Sequence, residues 1–327
     1  MEIAQRIRPA FRGAGESRTG SRIVVAAELT ANDAFQEPND QSTRFQASSI
    51  SKQFVAVCAL MLAERGMLDL AAPIARTLPD APAAWSDVTM HRLLSHTAGF
   101  GHWKDIPNYD IMSPTGLDAL LQAIAGLPLL SKPGTGWQYS GPGYALASKV
   151  IETAAGTTYA EFVTESIFRP VGMLSTTSET NPEGPGVALG HIDGRQTGFI
   201  PRLAEIPGTG DLWSTPTDLT TFAHALHRGD LISPASLRLM TAAHASVPDA
   251  SSDGWAVATG YGYGLYVGTA GGRHALFHAG DNPGYRSWLG WFPEEATAIA
   301  VMSNEGSDPA EPIAEQFAEQ FPEQSAE

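Results

Sequence analysis

The chain has 327 residues and a formal net charge of −15, with 43% hydrophobic and 17% charged residues. These proportions are those of an ordinary globular protein, and the length provides for one large domain or two interleaved ones. A surface this acidic repels phosphate backbones, so nucleic acid is excluded as an expected partner. The single cysteine, Cys58, rules out an intramolecular disulfide and fits a small core residue on a helix.

The sequence shows no recognisable export or membrane-spanning segment. Residues 1–8 lack the apolar core of a signal peptide. No stretch approaches the roughly 18 apolar residues that a membrane span requires. We therefore expect a soluble, cytoplasmic protein with no membrane partner.

The first elements predicted along the chain are a strand and a long helix. Residues 23–29, Ile-Val-Val-Ala-Ala-Glu-Leu, indicate a buried strand. A helix is predicted from Ser49 to about Arg65, with Gly66 as its C-terminal cap, because the apolar residues between them fall at helical spacing. This prediction places Ser49 at a helix N-terminus.

From about residue 68 to Gly260 the pattern is mostly helical and is interrupted by loops rich in proline and glycine. Residues 144–154 predict one helix. Another begins at Thr215, because Thr at the N-cap is followed by Pro at the first helical position and Asp at the third.

After residue 260 the character changes to short β-rich segments separated by Gly, Asn and Pro, which predict sequential antiparallel strands. These segments are residues 263–267, 275–279, 287–292 and 297–303. Residues 311–321 place Ile313, Phe317 and Phe321 four positions apart. That spacing is typical of a helix that packs one face on a sheet.

Strands thus fall at both ends of the chain, with a long helical segment between them. We predict an α+β fold in which both chain ends form one antiparallel sheet with flanking helices, and a helical subdomain is inserted in the middle. In this single domain of residues 1–327, the sheet part comprises about residues 1–66 and 260–327, and the helical part about residues 67–259. A catalytic site is expected in the cleft between the two parts.

A Ser-x-x-Lys motif stands at the start of the predicted helix. Residues three apart share a helix face, so the Ser49 hydroxyl and the Lys52 amine can approach each other. A serine becomes a nucleophile when a base takes its proton, and a neighbouring amine can serve as that base. The same spacing also fits an N-cap serine beside an exposed lysine.

A glycine-rich loop downstream contains Tyr139, just before a predicted helix. If Lys52 is nearby, its ammonium charge would favour the Tyr139 phenolate, which could relay a proton to and from Ser49. The alternative is an amphipathic tyrosine packed at the base of a loop.

The segment His278-Ala279-Gly280 ends a predicted strand. His278 could donate a hydrogen bond to the acyl oxygen or to the leaving group. A glycine at position 280 would let a substrate lie close against the strand backbone. The backbone N–H of Asp281 could then pair with that of Ser49 as an oxyanion hole.

In this order the three segments resemble the serine β-lactamase and penicillin-binding-protein superfamily, and in particular its class C branch. Three further segments look like sequences typical of that branch: Leu-Leu-Ser-His-Thr-Ala-Gly-Phe at 93–100, Pro-Val-Gly-Met-Leu-Ser-Thr at 170–176, and Leu-Trp-Ser-Thr-Pro-Thr-Asp-Leu at 212–219. The similarity covers roughly residues 45–305. It implies a β-lactamase/transpeptidase-like fold, a nucleophilic Ser49 activated by Lys52 and Tyr139, and a small-molecule ester or amide substrate.

The chain departs from the family pattern after Tyr139. The family typically has Tyr-x-Asn, whereas this chain has Gly141 at the third position. The missing amide normally helps to hold the lysine and the acyl amide of the substrate. Its loss disfavours β-lactam hydrolysis and favours an esterase or an acyltransferase. The N-terminal region also lacks the family's usual Gly-Tyr/Phe-Gly hairpin signature.

The residues expected to contact substrate are Gly141, Ala279, Gly280 and Arg286. Arg286 could bind a carboxylate bidentately or could instead form a surface ion pair. His96 is expected to be structural and to order the loop after its helix. No histidine spacing, Gly-rich phosphate loop or His-Glu-x-x-His motif indicates a metal or another cofactor, so none is expected.

Three functions remain open at this stage. The first is a hydrolase of the esterase or D-amino-acid peptidase or amidase type, in which water resolves the acyl-enzyme. The second is an acyltransferase of a biosynthetic pathway, in which an amine or alcohol replaces water. The third is an inactive binding protein on the same scaffold. The pKa values of lysine and tyrosine are both ordinarily about 10, so the sequence does not decide whether Lys52 or Tyr139 is the base.

Overall fold

The structure is a computed structural model. It describes residues 14–16, 22–28, 39, 42–112, 115–178, 182, 184, 186–197, 205–248, 254–307 and 310–319. Across this part of the chain, no helix is both long enough and apolar enough to cross a bilayer.

The longer strands lie towards the two ends of the chain, and most of the helices lie between them. The strands are β1 (Ala14–Glu16), β2 (Arg22–Glu28), β3 (Phe45–Gln46), β4 (His191–Ile192), β5 (Arg195–Gln196), β6 (Trp213–Ser214), β7 (Ala245–Ser246), β8 (Ala256–Tyr261), β9 (Tyr266–Ala270), β10 (Arg273–Asn282), β11 (Tyr285–Phe292) and β12 (Thr297–Ser303). The α-helices are α1 (Ser51–Glu64), α2 (Met90–Leu94), α3 (Leu117–Ala125), α4 (Gly141–Ala155), α5 (Tyr159–Val163), α6 (Arg169–Val171), α7 (Pro216–Arg228), α8 (Pro234–Thr241) and α9 (Glu311–Ala318). Short 3-10 turns span Ser48–Ile50, Ile74–Arg76, Ala83–Trp85 and Trp103–Asp105, and a π-helical turn spans Thr164–Phe168.

An eight-stranded sheet with the order β1-β2-β12-β11-β10-β9-β8-β7 forms the centre of the fold. It combines strands from both chain ends, and the predicted α+β fold is confirmed. Consecutive strands from β7 to β12 pair antiparallel. The pairing of β2 with β12 is parallel, which differs from the all-antiparallel prediction. A parallel pairing is available here because a long crossover separates the two strands along the chain.

Two strands of this sheet, β7 and most of β8, lie before residue 260, in the region where the sequence predicts helices. The helical prediction was wrong for them because β7 has only two residues and β8 is mostly half-buried, so neither shows a clear apolar alternation. The division of the domain into a sheet part and a helical part remains an interpretation. Its boundary near residue 260 leaves out these two strands.

Helix α1 runs through the middle of the protein. All of its residues from Ser51 to Leu62 are buried, and it packs against α4 and α8. Phe54 stacks on Phe222 of α7 with ring centroids 3.9 Å apart. A helix that is apolar on all sides belongs in a core, and this position forces Lys52 into the interior.

The sheet separates two hydrophobic clusters, because alternate side chains of β12 point to opposite faces. Ala300 joins the large cluster that contains α1 and α7. Ile299 joins a smaller cluster with Ile313 and Phe317 of α9. The predicted packing of the last helix on the sheet is therefore confirmed for these two residues, and Phe321 lies outside the described residues.

Candidate active site

The 3-10 turn Ser48–Ile50 leads directly into α1 and carries Ser49 beside a cleft. Ser48 has φ +52°, in the left-handed region. This conformation costs a non-glycine residue on the order of 1–3 kcal/mol. The N-cap residue of α1 is Ile50, and no side chain caps the helix. The alternative interpretation of Ser49 as a helix-capping serine is thus wrong.

Lys52 is buried beneath Ser49, with only 1% of its surface exposed. Its Nζ lies 3.0 Å from Ser49 Oγ and donates a hydrogen bond of 2.7 Å to the Thr209 carbonyl oxygen. Burial lowers the pKa of Lys52 to about 7, although the charge of Asp211 acts in the opposite direction. A substantial fraction of Lys52 is therefore neutral at pH 7, and a neutral amine can accept the Ser49 proton.

Tyr139 reaches the same pair from the loop before α4. Lys52 Nζ lies 5.1 Å from the centre of its ring, and the phenol forms a side-chain hydrogen bond with Ser49. Burial, reinforced by the neighbouring Tyr266, raises the pKa of Tyr139 well above its usual range. The expectation that the Lys52 charge would favour a phenolate was wrong, because desolvation is the dominant influence on the Tyr139 pKa.

His96 holds the loop that carries Tyr139. Its Nδ1 accepts a 3.1 Å hydrogen bond from the Ser140 N–H, and its carbonyl accepts one of 2.8 Å from the Gln138 N–H. Its ring lies 4.4 Å from that of Tyr139. These contacts agree with the structural role that the sequence predicts for His96.

His278 lies in the cleft wall on β10 and is almost fully buried. Burial, with a smaller contribution from Lys52, lowers its pKa to about 3, so the ring is neutral and carries one N–H. Nδ1 donates that hydrogen to the Ala279 carbonyl at 2.6 Å, and Nε2 lies 3.2 Å from the Tyr261 hydroxyl. In this arrangement His278 has no N–H left for a substrate, in contrast to the predicted donor role.

Gly280 has a packing role that the sequence did not predict. A Cβ at this position would lie 2.7 Å from the Ala47 carbonyl oxygen and 2.8 Å from Ser48 Cβ. The glycine therefore lets β10 approach the turn that carries Ser49, and it also lines the cleft, so its predicted contact with substrate stays a prediction. Ser287 ties the same two segments together through a 2.8 Å hydrogen bond to the Ala47 carbonyl.

The remaining predicted contacts lie on β10 and β11. Ala279 lines the cleft, and its side chain packs against the cluster under α9. Asp281 and Arg286 are register partners and form an ion pair through their side chains. The ion-pair alternative is therefore the one found for Arg286, and a substrate carboxylate would have to compete with Asp281. The oxyanion hole of the Ser49 and Asp281 N–H groups stays a prediction.

Asp211 fixes the loop that receives Lys52, a role that the sequence did not predict. Asp211 is 1% exposed, and its Oδ1 accepts a 2.7 Å hydrogen bond from the Gly208 N–H. Its Oδ2 accepts a hydrogen bond from the Ser178 hydroxyl. These bonds fix the loop that presents the Thr209 carbonyl to Lys52. The available sequence signal was a carboxylate at 211 directly before the apolar pair Leu212 and Trp213.

We expect Asp211→Asn to move the acidic limb of the kcat/KM profile to lower pH. Burial raises the pKa of Asp211 to about 6, and its charge raises that of Lys52. Removing the charge lowers the Lys52 pKa, so more of the amine is neutral at a given acidic pH. The other titratable groups near Lys52 have pKa values shifted away from its own: those of His96, His102 and His278 are lowered, and those of Tyr139 and Tyr144 are raised.

The measurement is the pH dependence of ester hydrolysis from pH 5 to 9, with Asp118→Asn as the matched exposed control. A profile of Asp211→Asn that coincides with wild type, or that moves to higher pH, would contradict this role.

The cleft encloses a cavity of about 450 Å³. It brings together Ser49, Lys52, Tyr139 and His278. Other lining residues are His102, Trp103, Ile111, Thr209, Tyr266, Asn282 and Glu311. Within the described residues, no group of three or more His, Cys, Asp or Glu side chains is arranged to hold a metal ion.

The fold and the serine–lysine pair together define a class of protein, the serine acyl-enzyme hydrolases and acyltransferases. Residues 14–320 match the family model described as Beta-lactamase. The chain belongs to this family, and the resemblance drawn from the motifs is confirmed.

The chain is similar to proteins that are named for different activities. Penicillin-binding protein 4* of Bacillus subtilis (strain 168) is 29% identical over 335 residues, which cover 91% of this chain and 71% of that protein. Esterase EstB of Burkholderia gladioli is 32% identical over 179 residues, or 48% of this chain and 44% of the esterase. The structure of D-amino acid amidase from Ochrobactrum anthropi SV3 complexed with L-phenylalanine has a TM-score of 0.72 and 25% identity, and covers 86% of this chain and 85% of that chain.

Proposed function

We propose that the protein is a serine hydrolase that forms an acyl-enzyme at Ser49 from small esters or amides. The proposal rests chiefly on the distance of 3.0 Å between Lys52 Nζ and Ser49 Oγ. The burial that lowers the pKa of Lys52 to about 7 makes this amine a base near neutral pH.

In the acylation step, Ser49 Oγ attacks the substrate carbonyl carbon while its proton passes to Lys52. The carbonyl π electrons move onto oxygen, where the backbone N–H groups of Ser49 and Asp281 would stabilise the negative charge. When the intermediate collapses, the bond to the leaving group breaks. Tyr139, which keeps its proton, donates it to the leaving group and is reprotonated by Lys52. Water then attacks the acyl-enzyme by the same steps in reverse order.

A second candidate, acyl transfer to an organic nucleophile, is favoured by the apolar side of the cleft. Trp103 and Ile111 line the cavity, and apolar surface binds an alcohol or amine with a hydrocarbon group better than it binds water. The chemistry at Ser49 is the same for both candidates. The products formed when alcohols or amines are added distinguish transfer from hydrolysis.

The test is intact-mass spectrometry after brief exposure to a 4-nitrophenyl ester, followed by peptide mapping. We expect a mass increase equal to one acyl group, located on Ser49. Ser49→Ala should show no adduct, whereas the exposed-serine control Ser86→Ala should react like wild type. An unmodified wild-type protein, together with unchanged ester hydrolysis in Ser49→Ala, would refute the proposal.

A further inference from the structure

The loop after α2 is fastened to the loop that carries Tyr139. Ser140 Oγ donates a 2.7 Å hydrogen bond to the Gly101 carbonyl, and the Gly141 N–H donates one of 3.1 Å to His102 Nδ1. The backbone N–H of His102 donates a 2.8 Å hydrogen bond to Asp105 Oδ2. The side chains at 102 and 103 are therefore held in place relative to Tyr139.

Trp103 occupies the space above Gly141. A Cβ on residue 141 would lie 2.7 Å from Trp103 Cε2 and 3.0 Å from Nε1, which is closer than van der Waals contact allows. On its other side the indole stacks on Tyr109, with ring centroids 5.5 Å apart and an angle of 15° between the planes. Trp103 thus excludes any side chain at 141, including an asparagine amide.

The side chains of this wall offer hydrogen-bond donors but no acceptors. Burial, reinforced by the Lys52 charge, lowers the pKa of His102 to about 4, so its ring is neutral. Because Nδ1 accepts from Gly141, the ring hydrogen is on Nε2. The indole of Trp103 has only an N–H, and Ile111 has no polar atom. An asparagine amide, in contrast, would offer a donor and an acceptor.

We propose that His102 and Trp103 form the acyl-group wall of the cleft and that Trp103 determines its specificity. The wall accepts flat apolar acyl groups, which pack on the indole, and discriminates against an acyl group with an N–H near the reacting carbonyl. On this wall that N–H would meet only donors and hydrocarbon, so its hydrogen bond to water would not be replaced there. This inference rests on the proposed acyl-enzyme function and narrows its substrates to esters without an acylamino substituent.

The test compares two esters that differ in one group. The 4-nitrophenyl esters of N-benzoylglycine and of 4-oxo-4-phenylbutanoic acid have the same leaving group, and a CH₂ in the second replaces the N–H of the first. With each kcat/KM divided by the ester's second-order rate constant with hydroxylamine, which attacks the carbonyl directly, wild type should prefer the CH₂ ester about tenfold, the order expected for one unpaired buried N–H. Equal values, or a preference for the N–H ester, would overturn the proposal without any variant.

The double variant Trp103→Ala/Gly141→Asn should reduce this preference about tenfold, because it removes the indole and supplies an amide acceptor. Trp103→Phe keeps a flat apolar ring and should retain the preference. Gly156→Asn is the matched control, since it adds an asparagine at the other end of α4, where a Cβ meets nothing within 4 Å. An unchanged preference in a folded double variant would also overturn the proposal.

Different results would refute the proposed acyl-enzyme function and the proposed wall. If neither ester leaves an adduct on Ser49, the proposed function is wrong. If both esters acylate Ser49 with equal relative rates, only the wall is wrong. If the double variant does not fold, as judged by thermal unfolding, the wild-type and Trp103→Phe ratios decide the question.

Discussion

Replacing Lys52 with methionine should lower kcat/KM for a 4-nitrophenyl ester by about 10⁴-fold, the upper range for loss of a general base. Lys52 Nζ is 3.0 Å from the serine oxygen and, with its lowered pKa, can take up the proton near neutral pH. Methionine fills a similar volume without an amine that burial must desolvate. We therefore expect Lys52→Met to lower the catalytic efficiency without lowering the stability of the protein.

The experiment measures ester hydrolysis and thermal unfolding of Lys52→Met side by side. We expect an unfolding temperature at or above that of wild type, so that the loss of activity does not reflect misfolding. Lys132→Met, an exposed control, should change neither quantity. If Lys52→Met retains activity within tenfold of wild type, another group takes the Ser49 proton and the assignment of Lys52 as base is wrong.

The second large effect is expected for Tyr139→Phe and depends on the leaving group. The raised pKa keeps the phenol protonated, so its role is that of an acid toward the departing oxygen. An alkoxide needs that proton, whereas 4-nitrophenolate leaves without it. We expect a loss of about 10²–10³-fold for alkyl esters, within the usual range for general acid catalysis, and a much smaller loss for 4-nitrophenyl esters.

A series of esters with one acyl group and alcohols of increasing acidity measures this dependence in wild type and in Tyr139→Phe. The variant should show a steeper dependence on the leaving group. A merely structural role for Tyr139 would reduce all the rates by the same factor, and such a result would contradict its role as an acid.

Local patterns in the sequence were sufficient for the elements that carry the nucleophile. The apolar spacing after Ser49 predicted α1, and the Thr215 cap predicted the start of α7, where its side chain accepts from the Asp218 N–H. Both features depend on residues within one or two helical turns. The full burial of Lys52 was not predictable in this way, because it results from packing on every side of α1.

The parts of the site that escaped prediction depend on contacts between distant segments. Lys52 donates to Thr209, 157 positions away, and Gly280 is needed because of atoms in residues 47 and 48. The periodicity of apolar residues along the chain gives no information about contacts between such distant segments. The glycine at 141 was recognised as unusual, but the tryptophan that requires it comes from a separate loop whose course the sequence does not indicate.

The burial of Lys52 also restricts how its proton can reach water. Nζ has two hydrogen-bond neighbours, Ser49 Oγ and the Thr209 carbonyl oxygen, and a carbonyl oxygen cannot carry a proton away. Protons that exchange between the amine and the solvent therefore pass through the serine side of the cleft. Once Ser49 is esterified, its oxygen carries no hydrogen and that route is interrupted, so in the proposed mechanism the proton must then pass between Lys52 and Tyr139.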